Sequence, residues 1–478
     1  MKSRSQSVQE SLPPEGKFGV AAKPRASMRR GTITDWLGRL TFSGRNLGRL
    51  LPFGAQGKGH AFVPTAPALI ELADALLSVR GEASGVAIAT SLLQLYEDAD
   101  IAVKKEFFVS LATRFNPDEQ TLIECWDQYR AKGSVALPAL ARAVEPPRQE
   151  LFRRLNLAPN GTAALVRMRA DLLSIMTREA PSLDMVDWDL NHLLQSWFNR
   201  GFLTMRSIDW SSPASLLERI IRYEAVHDIK SWSDLRGRLD PEDRRCYAFF
   251  HPGMVDEPLI FVEVALTTDM PDSIQAVLDP DRPMLAAADA TTATFYSISN
   301  CQPGLRGISF GHFLIKQVAA DLKRELPNLD CFVTLSPVPG LMNWLDKAMT
   351  DPVDRARLEP LRLSDQPDES DADEMRAFLL RHAANYFLEA KDASGRPRDP
   401  VARFHLGNGA RLERMNWHGD VSDKGLKQSA GLMVNYLYDL SLIEKHHEAY
   451  ANRGEIATGT PFRKAARAFA TDEQRQDN

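Results

Sequence analysis

Residues 294–318 read TFYSISNCQPGLRGISFGHFLIKQV, and this stretch decides the fold. It joins a β-branched and aromatic run to an amphipathic helix through a loop that contains Gly304, Gly307 and Gly311. Glycines let the backbone turn tightly and approach an anion closely, and the free N–H groups at the start of a helix point toward that anion. The layout therefore predicts either a pocket for a pyrophosphate-bearing ligand or a plain strand-to-helix connection.

The chain after this loop completes a strand, helix, strand unit. Leu314, Val318, Leu322 and Leu326 recur every fourth residue, which predicts a helix of about four turns with one buried stripe. The apolar run CFVTL at residues 331–335 is typical of a buried strand. A right-handed crossover would pair the two strands in parallel, with ligands at their carboxyl ends. The glycine spacing fits neither GxxxxGK[ST] nor GxGxxG and is more similar to the coenzyme A loop of acetyltransferase-like folds.

Ser336 stands directly after the second strand, at the sheet edge where ligands are expected. Pro337, Pro339 and Gly340 predict a rigid turn behind it, which would hold the hydroxyl in one place. Ser336 is therefore the first candidate for a catalytic side chain.

His405 is the second candidate. Asn408 and Gly409 form a type I′ turn signal between residues 401–406 and 410–417, which predicts a hairpin. Period-two alternation would place His405 on the face opposite the apolar side chains. A histidine near a hairpin turn is more often a solvated surface residue, but its ordinary pKa near ~6.5 would keep both protonation states available for proton transfer.

The composition excludes several functional classes. The 478 residues are 44% hydrophobic and 25% charged, enough for a large core and more than one domain. The formal net charge of −5 provides no basic surplus for nucleic acid, and no apolar stretch is long enough for membrane insertion. The four cysteines are too scattered for a disulfide framework or a zinc site, and no HExxH motif occurs, so we expect no metal.

The pattern along the chain predicts three parts. Residues 1–65 are rich in Ser, Arg, Gly and Pro and indicate a flexible leader, with a short helix around residues 33–40. Residues 66–199 keep helical apolar spacing throughout, which predicts an all-α domain for oligomerisation or for support of the catalytic half. Residues 200–470 would form the catalytic domain, in which residues 364–373 read as a solvated loop that acts as a lid or as surface decoration.

Six runs in the second half of the chain together resemble the malonyl-CoA decarboxylase family. They are HPGMVDEPLIFVEVAL (251–266), FYSISNCQPGLRGISFGHFLIKQV (295–318), FVTLSPVPG (332–340), NWL (343–345), PVARFHLGNGA (400–410) and GLMVNYLY (431–438). The resemblance implies an α+β protein of two domains: an all-α helical amino-terminal domain, then an acetyltransferase-like (GNAT-type) α/β catalytic domain that binds acyl-CoA.

The resemblance also implies the site residues. Ser336 and His405 correspond to the catalytic pair, and the sequence leaves open whether Ser336 would orient the malonyl carboxylate or donate to the oxyanion. The substrate-binding set would comprise Ser297, Arg306, Gly307, Ile308, Ser309, Phe310, Gly311, His312, Asn435 and Tyr438. One departure is visible, because family members carry a glutamate where this chain has Ser309.

The implied reaction is a carboxy-lyase step that converts malonyl-CoA to acetyl-CoA and CO2. We expect no cofactor, since coenzyme A is part of the substrate, and no nucleic acid or membrane partner. We further expect a homo-oligomer, dimer or tetramer, in the cytoplasm rather than in the mitochondrial matrix, because Glu10 and Glu15 do not suit a transit peptide. An N-acyltransferase and a non-catalytic acyl-CoA sensor remain alternatives, because either would use the same loop.

Overall fold

The strand, helix, strand unit predicted around residues 294–318 lies at the centre of a mixed sheet. We describe the protein from a computed structural model that covers residues 64–79, 81–176, 183–308, 310, 314–362 and 369–467. These residues fall within one compact unit, Pro64–Asn478. The predicted leader and its helix at residues 33–40 lie outside the described residues.

The sheet of the described region is antiparallel except at one pair. Its strands are β1 (Thr204–Ile208), β2 (Arg244–Phe250), β3 (Pro258–Thr267), β4 (Thr292–Asn300), β5 (Cys331–Thr334), β6 (Ser336–Pro337), β7 (Arg411–Asn416) and β8 (Met433–Leu437). The order is β1-β2-β3-β4-β5-β8, and β6 and β7 also pair with β8. Only β4 and β5 run parallel among these pairs, with Phe295 opposite Thr334, as the predicted crossover requires.

Helices precede the sheet and cover it. The first group is α1 (Ala66–Ser78), α2 (Glu82–Glu97), α3 (Ile101–Arg114), α4 (Glu119–Lys132), α5 (Leu137–Val144), α6 (Pro147–Asn156), α7 (Gly161–Ile175) and α8 (Leu183–Trp197). The second group is α9 (Ala214–Tyr223), α10 (Trp232–Leu239), α11 (Ile274–Leu278), α12 (Leu314–Glu325), α13 (Leu341–Ala348), α14 (Pro352–Leu358), α15 (Glu369–Leu388), α16 (Pro400–Gly407), α17 (Asp423–Ser429), α18 (Ile443–Arg453) and α19 (Thr460–Arg467). No described helix is both long and apolar enough to cross a membrane.

The helical region has its own apolar core and also packs on the sheet. Leu69, Phe107 and Leu165 are among the side chains that fill the core between the helices. Val166, within α7, and Phe198, which directly follows α8, belong instead to the larger core of the sheet. The predicted all-α region followed by an α/β region is therefore confirmed, while the proposed division at residue 199 stays a prediction.

The two faces of the sheet carry different side chains. On one face Val264 and Phe295 pack against α12, whose Leu314 and Val318 form the predicted buried stripe. A bulge between Glu263 and Val264 changes the register with β4, so that side chains of β4 beyond it are shifted relative to simple alternation. This shift decides where several candidate residues lie.

Two local predictions are wrong. Residues 401–406 are not a strand of a hairpin, because Pro400–Gly407 is helix α16. The predicted loop at residues 364–373 is helical from Glu369 onward, since α15 begins there. Residues 363–368, the remainder of the suggested lid, lie outside the described residues.

Candidate active site

Ser336, His405 and Tyr438 come together at the carboxyl end of β5, although 69 positions separate the first two in the chain. Ser336 Oγ lies 3.1 Å from His405 Nε2, and His405 Nδ1 lies 2.7 Å from the Tyr438 hydroxyl. The Ser336 hydroxyl also donates to Thr334 Oγ1 over 2.9 Å. All these side chains are buried, so the hydrogen-bonded chain is shielded from bulk water.

The direction of this chain follows from Ser336. The only hydroxyl hydrogen of Ser336 is directed to Thr334 Oγ1, so Ser336 Oγ accepts from His405 Nε2–H and Nδ1 accepts from the Tyr438 hydroxyl. Burial holds the pKa of Tyr438 far above its ordinary value, so this hydroxyl keeps the proton that it donates. A neutral imidazole that accepts at Nδ1 carries its hydrogen on Nε2. His405 therefore donates from Nε2 to Ser336 Oγ, while Ser336 donates onward to Thr334.

Burial lowers the pKa of His405 to about 3. The ring stacks on Tyr436, with centroids 4.5 Å apart, and contacts the rings of Phe404 and Tyr438. Desolvation disfavours the imidazolium because no opposite charge compensates for it here. The expectation that both protonation states of this histidine are available near neutrality is therefore wrong for this ring, which is neutral.

His405 is held by a well-capped helix rather than by a hairpin. Asp399 is the N-cap of α16 and accepts from the backbone N–H of Ala402, while Pro400 occupies the first turn. The Tyr386 hydroxyl donates to the same Asp399 carboxylate. The Asp-Pro start outweighs the Asn-Gly turn signal, and it turns His405 inward instead of toward solvent.

A cleft of about 440 Å³ lies between the glycine-rich loop and α16. The loop contributes Arg306, Gly307, Ile308 and Phe310 to its walls, and α16 with its C-cap contributes Arg403, Phe404 and Asn408. The cleft thus joins the predicted coenzyme A loop to the helix that carries His405. In the described region, no three His, Cys, Asp or Glu side chains are grouped so that they could hold a metal ion.

The helical region fixes the start of the loop. The buried Arg169 of α7 donates from Nη1 to the carbonyl oxygens of Gly304 and Arg306 over 2.8 and 2.9 Å. A Cβ at Gly304 would lie only 1.8 Å from the carbonyl oxygen of Val166, so this glycine is required by the close approach of α7. The cleft therefore depends on residues from both halves of the chain.

Comparison with known proteins decides the family. The profile described as "Malonyl-CoA decarboxylase C-terminal domain" matches residues 201–476, and the one described as "Malonyl-CoA decarboxylase N-terminal domain" matches residues 115–198. The chain belongs to the malonyl-CoA decarboxylase family. The mitochondrial malonyl-CoA decarboxylase of Anser anser anser is 34% identical over 368 residues, which cover 70% of this chain and 73% of the relative.

Two crystal structures of malonyl-CoA decarboxylases superpose over most of the chain. The one from Rhodopseudomonas palustris is 56% identical with a TM-score of 0.81 and covers 84% of this chain and 99% of its own. The one from Agrobacterium vitis is 52% identical with a TM-score of 0.78 and covers 83% of this chain and 99% of its own. The family inferred from the six sequence runs is confirmed.

Two residues predicted for the substrate site of this family member are hydrogen-bonded to groups outside the Ser336 and His405 pair. The Ser297 hydroxyl donates to the Glu224 carboxylate and has no hydrogen bond to Ser336 or His405. The Asn435 side chain is occupied by bonds to Pro271, Thr334, Arg414 and Asn416. Asn435 also alternates along β8 with Tyr436, which faces His405, so it points to the other side of the sheet.

The remaining predicted residues fall into two groups. Arg306, Gly307, Ile308 and Phe310 line the cleft as expected, with Ile308 and Phe310 largely buried. Ser309, Gly311 and His312 lie outside the described residues, so the departure at Ser309 has no structural account.

Sequence reasoning missed three residues that position the site of this family member. Thr334 accepts from Ser336, Tyr436 stacks on His405, and Arg169 holds the loop. The sequence gives a weak indication of Thr334 and Tyr436, because side chains two positions apart on a strand share a face. Thr334 lies two positions before Ser336, and Tyr436 lies two positions before Tyr438. Arg169 carries none, because its partners are backbone atoms 135 and 137 positions away.

Proposed function

We propose that this protein converts malonyl-CoA to acetyl-CoA and CO2, as a carboxy-lyase, by way of a thioester enolate that is then protonated. The observation that carries the proposal is the hydrogen bond between Ser336 Oγ and His405 Nε2, which are 3.1 Å apart. His405 directly follows Phe404, which lines the same cleft as the glycine-rich loop. Family membership supports the same reaction.

The reaction needs charge stabilisation more than it needs a base. The malonyl group is already a carboxylate at neutral pH, and loss of CO2 leaves negative charge on the thioester oxygen and on the adjacent carbon. Donors aimed at the developing oxyanion lower the barrier most, and loss of one typically costs on the order of 2.7 to 4 kcal/mol. We assign this role to the Ser336 hydroxyl, whose hydrogen would turn from Thr334 Oγ1 to the thioester oxygen while Ser336 Oγ accepts from the Nε2–H of His405.

His405 acts in our proposal as a neutral donor and not as an imidazolium. A thioester enolate carbon is a stronger base than a serine alkoxide, so the Ser336 hydroxyl can transfer its proton to that carbon. Ser336 would then recover a proton from Nε2–H, and the imidazolate left on His405 would be reprotonated by water that enters through the cleft when acetyl-CoA leaves. Tyr438 keeps Nδ1 occupied as an acceptor, which leaves the donating Nε2–H on the side of Ser336.

The apolar surroundings favour carboxylate loss. Phe404, Tyr436 and Tyr438 surround His405, and the pKa of His405 responds only to burial. A malonyl carboxylate placed there would be poorly solvated, whereas CO2 is neutral, so the reaction removes the unfavourable charge.

We propose that residues 306–312 bind the pyrophosphate of coenzyme A. Arg306 is exposed at the mouth of the cleft and has no ion pair with any other described residue, so its guanidinium is free to meet a phosphate. Gly307 has φ +81°, a conformation in which glycine is favoured, and no described residue lies within 4 Å of the place that a Cβ would occupy there. Ser309, Gly311 and His312 complete the proposed contact.

The protein is proposed to need no metal and no organic cofactor, and we propose a cytoplasmic homo-oligomer, dimer or tetramer. Helix α4 supports the assembly, because it buries no residue in the described chain and exposes Ile123 and Trp126 by half of their surface. Residues 66–199 would then serve both assembly and support of the loop. Light scattering of the purified protein, activity after dialysis against EDTA, and cell fractionation test these three points.

The deciding experiment omits any acceptor. Purified protein is incubated with malonyl-CoA alone, and acetyl-CoA and CO2 are measured together. Equimolar formation of both supports the decarboxylase. Release of free coenzyme A with acylation of an added amine would favour the N-acyltransferase, and binding without turnover would favour the acyl-CoA sensor.

A further inference from the structure

One buried polar atom in the cleft has no partner. Asn408, the residue after α16, is only 4% exposed and lines the cleft beside the loop. Its Oδ1 receives no hydrogen bond from any described residue. A buried acceptor without a donor is unfavourable in a folded protein, and such atoms are expected to have a function or a ligand.

The identity of the unpartnered atom is fixed by the other half of the amide. Asn408 Nδ2 donates to the carbonyl oxygen of Phe404 over 2.7 Å. Exchanging the two amide atoms would place oxygen against oxygen, so Nδ2 must face Phe404 and Oδ1 is the atom without a partner. The free atom is therefore an acceptor, and the group that it binds must be a donor.

The residues that line the cleft indicate the chemistry of the rest of the ligand. Leu259, Ile260, Leu305, Leu314 and Phe310 supply apolar surface beside Asn408, and the polar residues of the same walls are Asn300, Gln302, Arg306 and Arg403. A chain that is mainly methylene and carries an amide N–H matches this pattern. The pantetheine arm of coenzyme A has this chemistry, with two amide groups and one hydroxyl spaced along an otherwise apolar chain.

The position relative to His405 selects one of these two amides. Asn408 follows His405 by three residues at the end of α16, so the two side chains are neighbours along the helix. The amide nearer to the thioester is separated from the sulfur by two methylene groups. We propose that Asn408 Oδ1 accepts a hydrogen bond from the N–H of this amide and so places the thioester carbonyl beside Ser336 and His405.

This inference rests on the proposed function but can be tested apart from it. Binding of free coenzyme A, measured by calorimetry, needs no turnover. We expect Asn408→Ala to weaken binding about 10-fold, which corresponds to about 1.4 kcal/mol. We expect KM for malonyl-CoA to rise by a similar factor and kcat to change less than about threefold, because the hydrogen bond persists in the transition state.

A matched control separates ligand binding from helix capping. Asn116 makes the same type of bond, from Nδ2 to the carbonyl oxygen of Ala112 four residues earlier, but its Oδ1 already accepts from Arg148 within the helical region. Asn116→Ala should lower thermal stability without changing coenzyme A affinity. Asn408→Leu provides a second variant that keeps the side-chain volume, in case Asn408→Ala does not fold.

A truncated substrate tests which amide is bound. Malonyl-N-acetylcysteamine keeps only the amide next to the thioester, so we expect the Asn408 variants to raise its KM by the same factor as that of malonyl-CoA. Unchanged KM for both substrates in a folded variant, or an increase confined to malonyl-CoA, would overturn the proposal. If the wild type binds coenzyme A but releases no CO2 while Asn408→Ala binds less tightly, the proposed function fails and this inference stands.

Discussion

Removal of the Tyr438 hydroxyl tests whether this residue sets the proton on His405. Tyr438→Phe deletes one oxygen, 2.7 Å from His405 Nδ1, and leaves the rings in place. A buried acceptor that loses its donor costs about 1 to 3 kcal/mol. That cost falls on the tautomer with the hydrogen on Nε2, which is the form that we assign to catalysis. Since each 1.36 kcal/mol is tenfold in rate, kcat should fall roughly 5- to 150-fold.

The assay measures acetyl-CoA by chromatography over a range of malonyl-CoA concentrations. KM should change little, since Tyr438 is proposed to act on His405 and not on the ligand. Nitrogen NMR of labelled histidine should show hydrogen on Nε2 in the wild type and a mixture of tautomers in the variant.

Tyr436→Phe is the matched control for this experiment. The Tyr436 hydroxyl is buried but bonds to no described residue, although its ring stacks on His405. Its removal should leave kcat within about twofold, because it changes no hydrogen bond of the ring. Equal rates for wild type and Tyr438→Phe, or equal losses in both variants, would refute the role assigned to Tyr438.

Two further predictions concern the loop and acid stability. Gly304→Ala would bring a Cβ to 1.8 Å from the Val166 carbonyl oxygen, so we expect a loss of about 1 to 3 kcal/mol in unfolding free energy and a higher KM for malonyl-CoA. Gly237→Ala is the control, because its Cβ would meet no atom within 4 Å and should leave KM unchanged. Since the pKa of His405 is lowered to about 3 from about 6.5, the unfolded chain binds one more proton between these values, and stability falls as pH decreases below 6.5. Urea unfolding at pH 6.5 and 5.5 should show a loss about 1 kcal/mol larger in the wild type than in His405→Gln, because the unfolded histidine goes from half to almost fully protonated over this interval. Identical losses would contradict the neutral buried ring.

Much of the fold could be predicted from the sequence because the decisive signals are local. Strands β4 and β5 and the helix α12 between them lie within about forty residues, where periodicity and loop chemistry specify the crossover. Ser336 was found for the same reason, since it follows directly on β5.

The errors arose where tertiary contacts override local patterns. The Asn-Gly pair at 408–409 resembles a hairpin turn, yet Asp399 caps a helix that buries His405. The bulge in β3 and β4 and the alternation of β8 take Ser297 and Asn435 away from the pair, and neither effect is visible without the strand register. The pKa of His405 likewise depends on rings from distant strands.

The contact between Ser336 and His405 is the central claim, and a double-mutant cycle tests it most directly. The rate of CO2 release is measured for Ser336→Ala, His405→Ala and the double variant, with coenzyme A binding as the check on folding. If the two side chains act as one unit, each single change should lower kcat by about 10²- to 10³-fold and the double change should cost little more. Losses that multiply in the double variant, or single variants with wild-type rates, would contradict the account.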